Sequence, residues 1–132
     1  MKRTDQAVIT AALHTLDTFI QTFNEGDARG HCATFAYPHV RLASGQVRVW
    51  NSIDEAIEPM QRAIARLRAD GWDHSEWDHR RMVQIGESKV HLDVQFRRFR
   101  ADKSVMGVFP AIYVVVDVDG RWLIQCRSSF AP

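Results

Sequence analysis

The stretch YVVVDVDGRWLIQC, residues 113–126, contains the strongest structural signal in the chain. Asp119 and Gly120 separate two apolar runs, and an Asp-Gly pair in this setting is typical of a two-residue β-hairpin turn. The turn predicts three facing pairs on one side: Asp117 with Trp122, Val115 with Ile124, and Tyr113 with Cys126. The opposite side, which includes Arg127, is also mainly apolar. We therefore predict that one side packs inside the domain and the other against a second copy, giving a homodimer through the sheet.

Three helices are predicted before the last four strands. Apolar residues at spacings of three and four predict an amphipathic helix over residues 4–24. Asp27 is typical of a residue that caps a second, short helix, which is expected to reach Phe35. Ser52 begins a third helix with the capping box SIDE, and Pro59 is expected to kink that helix or divide it in two.

The rest of the chain alternates between apolar and polar residues, with turn signals at residues 44–45, 86–89 and 102–103. The predicted order is helix, helix, hairpin, helix and four strands. The predicted fold class is therefore α+β, a bent antiparallel sheet with the helices gathered on one face. The length of 132 residues predicts a single domain over 1–132 with its own core.

The charge balance and the hydropathy exclude several classes of partner. Seventeen basic and sixteen acidic residues leave a net charge of +1, which favours neither nucleic acid nor a membrane as a partner. No run approaches the roughly 20 apolar residues of a membrane helix, and Met1-Lys2-Arg3 lead into a polar segment. Cys32 and Cys126 lack metal-type or disulfide-type spacing, so we expect reduced thiols. These features predict a cytoplasmic protein.

Motifs for metals, cofactors and nucleic acids are weak. The chain has six histidines, but no helical HxxxH or similar ligand set, so no metal is expected. The stretch 96–100, FRRFR, is basic with interleaved aromatic residues, yet its position near a turn favours a solvated strand end over a nucleic-acid site. No glycine-rich phosphate loop is present, and no cofactor is expected.

The hairpin around residues 86–89 supplies the leading candidates for chemistry. Pairing outward from its turn places His79 opposite Phe96, with Arg81 on the same apolar face. His79 could act there as a general acid or base near neutral pH, and Arg81 could bind a carboxylate or phosphate. The structural alternatives are a core histidine and an arginine paired with an acid of the third helix. A β-bulge in this hairpin would turn both residues to the other face.

Aromatic residues of the predicted strands are candidates for a ligand site. Trp50, Trp77, Trp122 and Phe96 would supply flat apolar walls, and Tyr113 would present its hydroxyl as a donor. In the alternative interpretation, these are ordinary core residues.

The hairpin at residues 44–45 also allows its faces to be assigned. Its register pairs His39 with Trp50 and puts Arg41 and Arg48 on the same side. This side is expected to lie outside the domain or at the mouth of a pocket. The side expected to face inward consists of Val40, Leu42, Val47 and Val49.

Two local motifs resemble those of a known superfamily. The run Phe23-Asn24-Glu25-Gly26-Asp27 closes the first helix, and Tyr37-Pro38-His39-Val40-Arg41 enters the first strand. With the element order over residues 4–130, they resemble the nuclear-transport-factor-2-like (NTF2-like) superfamily, most closely its SnoaL-like members. The resemblance implies a cystatin-like cone in which the bent sheet wraps around the long helix and leaves a mostly apolar pocket, and often a dimer. Isomerases, dehydratases, cyclases and binding proteins share this fold, so it implies no single reaction.

The acid and base residues of ketosteroid isomerases have no counterpart here. By the resemblance, the matching positions are Phe19, Leu42 and Phe109, and none of these can exchange a proton. We therefore expect a binding module that holds a small, largely apolar molecule as a homodimer. One alternative is a cofactor-independent lyase, isomerase or cyclase that uses His79 as general acid or base, together with Tyr113. Another is a structural dimerisation domain with a filled core.

Overall fold

The computed structural model describes residues 5–132, which form three helices and six strands. In chain order these are α1 (Asp5–Glu25), α2 (Ala28–Cys32), β1 (Phe35–Ala43), β2 (Gln46–Trp50), α3 (Ile53–Ala69), β3 (Trp72–Ile85), β4 (Lys89–Arg100), β5 (Val105–Val118) and β6 (Arg121–Ser129). The predicted α+β class is confirmed. Thr4, where the first helix was expected to begin, and the segment Met1-Lys2-Arg3 lie outside the described residues.

The long helix α1 packs its apolar stripe against the sheet. Val8, Ala12, Leu16 and Phe19 are buried at helical spacing, and the helix contacts both β3 and β6. Removal of this stripe from water stabilises the fold and fixes the position of the helix across the sheet. Neither α1 nor any other helix within residues 5–132 combines the length and apolar character needed to cross a membrane.

The segment from Asn24 to Asp27 turns the chain from α1 into α2. The side-chain amide of Asn24 accepts the backbone N–H of Ser75 at 2.8 Å and donates to the Ser75 carbonyl at 2.9 Å. Gly26 has a φ of 73°, in the left-handed region that favours glycine at a helix end. The Asp27 carboxylate accepts the N–H of Gly30 at 2.9 Å and caps α2. Asn24 thus ties the end of α1 to β3.

The third helix begins at Ser52, the predicted N-cap, but Glu55 bonds the N–H of Asn51 and not that of Ser52 as a capping box would. The Ser52 hydroxyl accepts the N–H of Glu55 at 3.3 Å, and the Glu55 carboxylate accepts the N–H of Asn51 at 2.7 Å. The helix continues through Pro59 as one element, so the expectation that the proline divides it is wrong. Contacts of α3 with α2 and with the sheet hold the helix together despite the backbone hydrogen bond lost at proline.

The six strands form one sheet in the order β2-β1-β6-β5-β4-β3. Neighbouring strands are antiparallel, as predicted, except β1 and β6, which run parallel. The parallel pair joins the predicted first hairpin to the last strand and makes one continuous surface behind α1. We call the face toward α1 the inner face and the opposite face the outer face.

A β-bulge at Gln125 changes the register of the last hairpin. Near the turn the predicted pairs are present, but beyond Gln125 the residue facing Tyr113 is Arg127 in place of Cys126. The Gln125 amide donates to the carbonyl of Pro38 on the neighbouring strand. One extra residue therefore turns Arg127 onto the inner face, beside Tyr113.

Further bulges change the register between β3 and β4. A shift at Val83 reverses the face of the residues before it, and a second shift at Asp78 reverses the face again. As a result, Phe96 faces Trp77 and not His79. The predicted partner of Phe96 was therefore wrong, and the bulge considered from the sequence as an alternative is present.

The outer face exposes apolar side chains in rows that run across four strands. One row consists of Val47, Leu42, Ser128 and Ile112, and the next of Val49, Val40, Cys126 and Val114. We call these eight residues the outer patch. Val47 is 71% exposed and Ile112 is 45% exposed, so the domain alone leaves this surface uncovered. The four residues of the first hairpin that were expected to face inward, namely Val40, Leu42, Val47 and Val49, lie on this outer face.

Candidate ligand-binding site

A cavity of about 340 Å³ lies between α1, α3 and the inner face of the sheet. Small-molecule sites in proteins typically have volumes of roughly 300–1,000 Å³. Most of the wall is aromatic or aliphatic and includes Phe19, Phe35, Trp50, Met60, Trp77 and Phe96. The charged part of the lining consists of five arginines and one carboxylate, that of Asp70, within the described residues. The walls of the cavity are therefore mainly apolar, and most of its charged side chains are cationic.

Aromatic rings pack together to form one wall of the cavity. Phe19 stacks on Trp77 with ring centroids 6.1 Å apart, and Tyr113 meets Phe19 edge to face at 5.7 Å. Trp77 in turn meets Phe96 edge to face at 6.0 Å. The indole N–H of Trp77 donates to the carbonyl of Leu16 at 3.3 Å. These contacts hold the rings in place as a continuous apolar wall.

Three arginines stand side by side on the inner face. Arg48 on β2 faces Arg41 on β1, and Arg41 faces Arg127 on β6. Neighbouring strands are only about 4.8 Å apart, and like charges in facing positions normally destabilise a sheet. Tyr113 on β5 continues the same line of residues. We call Arg48, Arg41 and Arg127 the arginine row.

The most buried member of the arginine row is Arg127, which is 8% exposed. Its Nε donates to Nε2 of His39 at 3.0 Å, and Arg127 faces Tyr113 on the neighbouring strand. The guanidinium carbon lies 4.7 Å from the ring centroid of Phe35 and 5.6 Å from that of Phe19. Burial lowers the pKa of Arg127. All of these partners are neutral groups.

Arg98 reaches the cavity from β4. Its Nε is buried and has no hydrogen-bond partner within residues 5–132. The guanidinium carbon lies 4.7 Å from the ring centroid of Phe109 and 5.7 Å from that of Phe96. Burial lowers the pKa of Arg98 as well. Aromatic faces attract this cation, but they do not satisfy its N–H donor.

Arg41 is held by the last described residues. Its Nη2 donates to the carbonyl of Ala131 at 2.9 Å and to that of Pro132 at 3.4 Å. Burial, followed by the nearby Arg127, lowers the pKa of Arg41 to about 10. Arg41 therefore stays cationic at neutral pH and adds positive potential at this end of the cavity.

The cavity also contains His31, which is 1% exposed. Its Nδ1 donates to the carbonyl of Phe19 at 2.7 Å, and the two rings lie 4.2 Å apart. Burial, followed by the Arg127 charge, lowers the pKa of His31 to about 3. Burial also raises the pKa of Tyr113. His31 and Tyr113 are therefore both neutral near pH 7.

Four of the residues proposed from the sequence line the cavity, namely Trp50, Trp77, Phe96 and Tyr113. Their contact with a ligand stays a prediction. Trp122 is buried under α1, where its carbonyl accepts the hydroxyl of Thr15 at 2.5 Å. The expectation that Trp122 forms a wall of this cavity is wrong, because Trp122 packs beside the middle of α1 and does not line the cavity.

The structure places His79 and Arg81 on the outer side of β3. Nε2 of His79 lies 3.3 Å from the carboxylate of Asp93, and Nη2 of Arg81 lies 3.4 Å from Nδ1 of His79. His79 faces Gln95 on the neighbouring strand. The expectation that both residues share the apolar face is therefore wrong, because the bulge at Val83 turns them outward.

In the first hairpin, the face that was expected to lie outside is the one that faces the interior. His39 does face Trp50, as predicted, but this side lies inward, and His39 is 0% exposed. Its ring stacks on Phe35 with centroids 3.9 Å apart. Valines and arginines alternate along this hairpin, and the apolar side was assigned to the interior. The interior is in fact the side with His39 and the arginine row.

Sequence reasoning missed Arg98 and Arg127 as cavity residues. The basic stretch that contains Arg98 is divided between the two faces, since Arg97 donates to Asp78 at 2.8 Å outside the cavity. Arg127 follows five mainly apolar residues of its strand, Trp122–Cys126, and no acidic residue lies among them. An arginine that follows such a run is a signal that sequence reasoning could have used. Within residues 5–132, no three metal-ligating side chains come together.

The curved sheet, the three helices and the cavity between them define the class of α+β proteins with a cystatin-like fold. Within this class the chain belongs to the family of NTF2-like proteins (DUF6841), whose model matches residues 10–128. The resemblance to the NTF2-like superfamily is thereby confirmed. No curated protein matches the chain in sequence.

Several solved structures share the fold over nearly the whole chain. An NTF-2 like protein of unknown function from Shewanella oneidensis MR-1 has a TM-score of 0.76 at 14% identity, and the match covers 93% of this chain and 98% of that chain. The protein Aln2 from a Streptomyces species has a TM-score of 0.76 at 15% identity, with 98% and 94% covered. A protein of Shewanella frigidimarina NCIMB 400, provisionally named a ketosteroid isomerase, has a TM-score of 0.72 at 18% identity, with 90% and 94% covered. At these identities the similarity shows the fold alone.

Proposed function

We propose that this protein binds a small molecule with a flat, apolar body in the cavity, without converting it chemically. The observation that carries this proposal is an open volume of about 340 Å³ beside the aromatic wall of Phe19, Trp77 and Phe96. Protein interiors are normally packed without voids of this size. The cavity therefore weighs against the alternative of a structural dimerisation domain with a filled core.

Binding fits the cavity better than proton transfer does. A general acid or base works best with a pKa near the working pH, whereas burial lowers the pKa of His31 to about 3 and raises the pKa of Tyr113. The alternative of a lyase, isomerase or cyclase relies on His79, which contacts Asp93 on the outer side of β3. A reaction in the cavity would need a proton carrier other than His79.

The proposal includes a homodimer that forms through the outer patch. Single exposed apolar residues are normal on protein surfaces, but two adjacent rows across four strands make a continuous patch. A second copy that covers the patch with its own patch would remove both from water, as in isologous dimers. Cys32 and Cys126 are free thiols, which fits a reducing compartment, and we include a cytoplasmic location in the proposal.

A thermal-shift screen with a blocked cavity tests the binding proposal. Ala63 on α3 lines the cavity, and Ala65 is exposed on the same helix, so Ala63→Phe and Ala65→Phe are matched substitutions. The screen uses small aromatic and alicyclic compounds. For a ligand at a hundred times its Kd, we expect the Tm of the wild type and of Ala65→Phe to rise by about 5–10 °C, and that of Ala63→Phe to stay unchanged. The proposal is rejected if no compound raises the Tm, or if the hits raise the Tm of Ala63→Phe equally.

A further inference from the structure

The ion pairs of the described residues do not include the arginines of the cavity. They join Asp17 with Arg80, Asp78 with Arg97, Asp93 with His79, Glu58 with Arg62, and both Asp73 and Glu76 with His74. No ion pair with a side-chain carboxylate within residues 5–132 includes the arginine row or Arg98. Five arginines and one side-chain carboxylate, that of Asp70, line the cavity, so its lining side chains carry an excess of positive charge.

This arrangement is unfavourable for the free protein. The register puts Arg48, Arg41 and Arg127 in one line across three strands, where like charges repel. Arg127 is nearly fully buried, and a buried cation without a counter-ion carries a large desolvation cost. A bound anion would remove both the repulsion and the uncompensated charge.

The cations border the aromatic wall. The guanidinium carbon of Arg127 lies 5.6 Å from the ring centroid of Phe19, and that of Arg98 lies 5.7 Å from the ring centroid of Phe96. Tyr113 packs its ring against Phe19 and Trp77. Cationic groups therefore stand directly beside an apolar aromatic wall. Arg98 contributes a buried Nε–H that has no acceptor within the described residues.

We infer that the ligand is an organic carboxylate, with its carboxylate held by Arg127 and Arg98 and its flat body against Phe19, Trp77 and Phe96. This inference rests on the proposed function, since it names the class of ligand for the same cavity. A guanidinium presents a planar pair of donors that matches the two oxygens of a carboxylate. A monoanion suits a largely apolar cavity better than a phosphate dianion, because the cost of desolvation rises with charge.

Isothermal titration calorimetry with matched acids and amides tests the inference. The acids are benzoate, 2-naphthoate and 9-anthracenecarboxylate, and each is compared with its primary amide, which has nearly the same shape but no charge. We expect the acid that fits best to bind at least about tenfold more tightly than its amide, because a charge-assisted hydrogen bond replaces a neutral one. The dianion 2-naphthyl phosphate is expected to bind more weakly than 2-naphthoate.

Two neighbouring arginines supply a matched pair of variants. Arg98→Gln removes a cation of the cavity, whereas Arg97→Gln removes one that is paired with Asp78 outside it. We expect Arg98→Gln to weaken the acid by about 10- to 100-fold and the amide hardly at all, and Arg97→Gln to change neither. Arg127→Lys, which keeps the charge and loses the planar fork, is expected to weaken the acid by about tenfold.

The possible outcomes separate this inference from the proposed function. Equal affinity for acid and amide, tighter binding of the phosphate, or an unchanged acid affinity in Arg98→Gln would overturn the carboxylate inference and leave ligand binding in place. If neither the acids nor the amides bind, and the thermal-shift screen also yields no ligand, the proposed function is overturned together with the inference.

Discussion

The Nε–H of Arg127 is donated to Nε2 of His39 over 3.0 Å. On the other side of the ring, Nδ1 of His39 lies 2.8 Å from the carbonyl oxygen of Ile124. A carbonyl can only accept, so Nδ1 carries the proton and Nε2 offers its lone pair to the arginine. Protonation of Nε2 would bring two N–H groups against each other. The hydrogen bonds therefore keep His39 neutral beside a buried cation.

Because His31 and His39 are buried and neutral, we expect the protein to lose stability in mild acid. Burial, followed by Arg127, lowers the pKa of His39 to about 2 and that of His31 to about 3, from 6.5. Below pH 6.5 the unfolded chain binds a proton on each histidine while the folded chain does not. The free energy of unfolding should therefore fall by about 1.4 kcal/mol per pH unit for each histidine between pH 6 and pH 4.

Guanidinium unfolding at pH 7.5, 6, 5 and 4 measures this dependence. His39→Gln should reduce the slope of the free energy of unfolding against pH by about 1.4 kcal/mol per pH unit, the contribution of one proton. His14→Gln, at an exposed position of α1, should leave the slope unchanged. Equal slopes in the wild type and His39→Gln would show that His39 titrates normally in the folded state.

A double-mutant cycle measures the contact between His39 and Arg127 directly. His39→Phe keeps a ring against Phe35 but removes the acceptor of the arginine N–H, and Arg127→Met removes the donor. Each single change leaves a buried polar group without its partner, whereas the double variant removes both. We expect the destabilisations measured by urea unfolding to be less than additive by about 1–3 kcal/mol. Strict additivity would mean that the contact contributes nothing.

The two hydrogen bonds of Asn24 should hold the end of α1 against β3. Asn24→Ala loses two hydrogen bonds to the backbone of Ser75 and leaves that part-buried backbone without its side-chain partner. We expect a decrease of about 2–3 kcal/mol in the free energy of unfolding. Gln21→Ala, which removes an exposed side-chain contact with Glu25 one turn earlier, should cost less than about 1 kcal/mol. Similar losses in both variants would contradict this role.

Charge in the outer patch should break the proposed dimer. Ile112→Lys and Val49→Lys each put an ammonium in the patch, while Val83→Lys changes an exposed valine on β3, at the far edge of the sheet. Light scattering should give twice the 15.2 kDa chain mass for the wild type and for Val83→Lys at micromolar concentration, and the chain mass for the other two. A wild type with the mass of one chain would reject the dimer.

The fold could be predicted from the sequence because its cues are local. Helical spacing predicted α1, the SIDE box predicted the start of α3, and Asp119-Gly120 predicted the last turn. The pairing of β1 with β6 depends on residues about 85 positions apart, for which the sequence contains no local cue. The resemblance to NTF2-like proteins implied how these elements assemble.

The charged part of the site could not be predicted, because one residue depends on a bulge and two others on the choice of the inward face. Val83 and Gln125 look like ordinary strand residues, and both faces of the last hairpin are apolar enough to fit either register. Regular alternation of side chains, counted from each turn, therefore placed Arg127 on the outer face and His79 on the inner face. In β1, alternation defined two faces correctly, but the rule that apolar residues face inward chose the wrong one. The outer patch is itself the reason that this rule failed.

The bulge at Gln125 decides which side chain of β6 stands beside Tyr113. Deletion of this one codon would restore the regular alternation of β6, and Cys126 would take the place of Arg127 at the floor of the cavity. A substitution changes one side chain, whereas such a deletion exchanges every position between the bulge and the end of the strand. A variant of this chain without Gln125 should therefore lose Arg127 from the cavity.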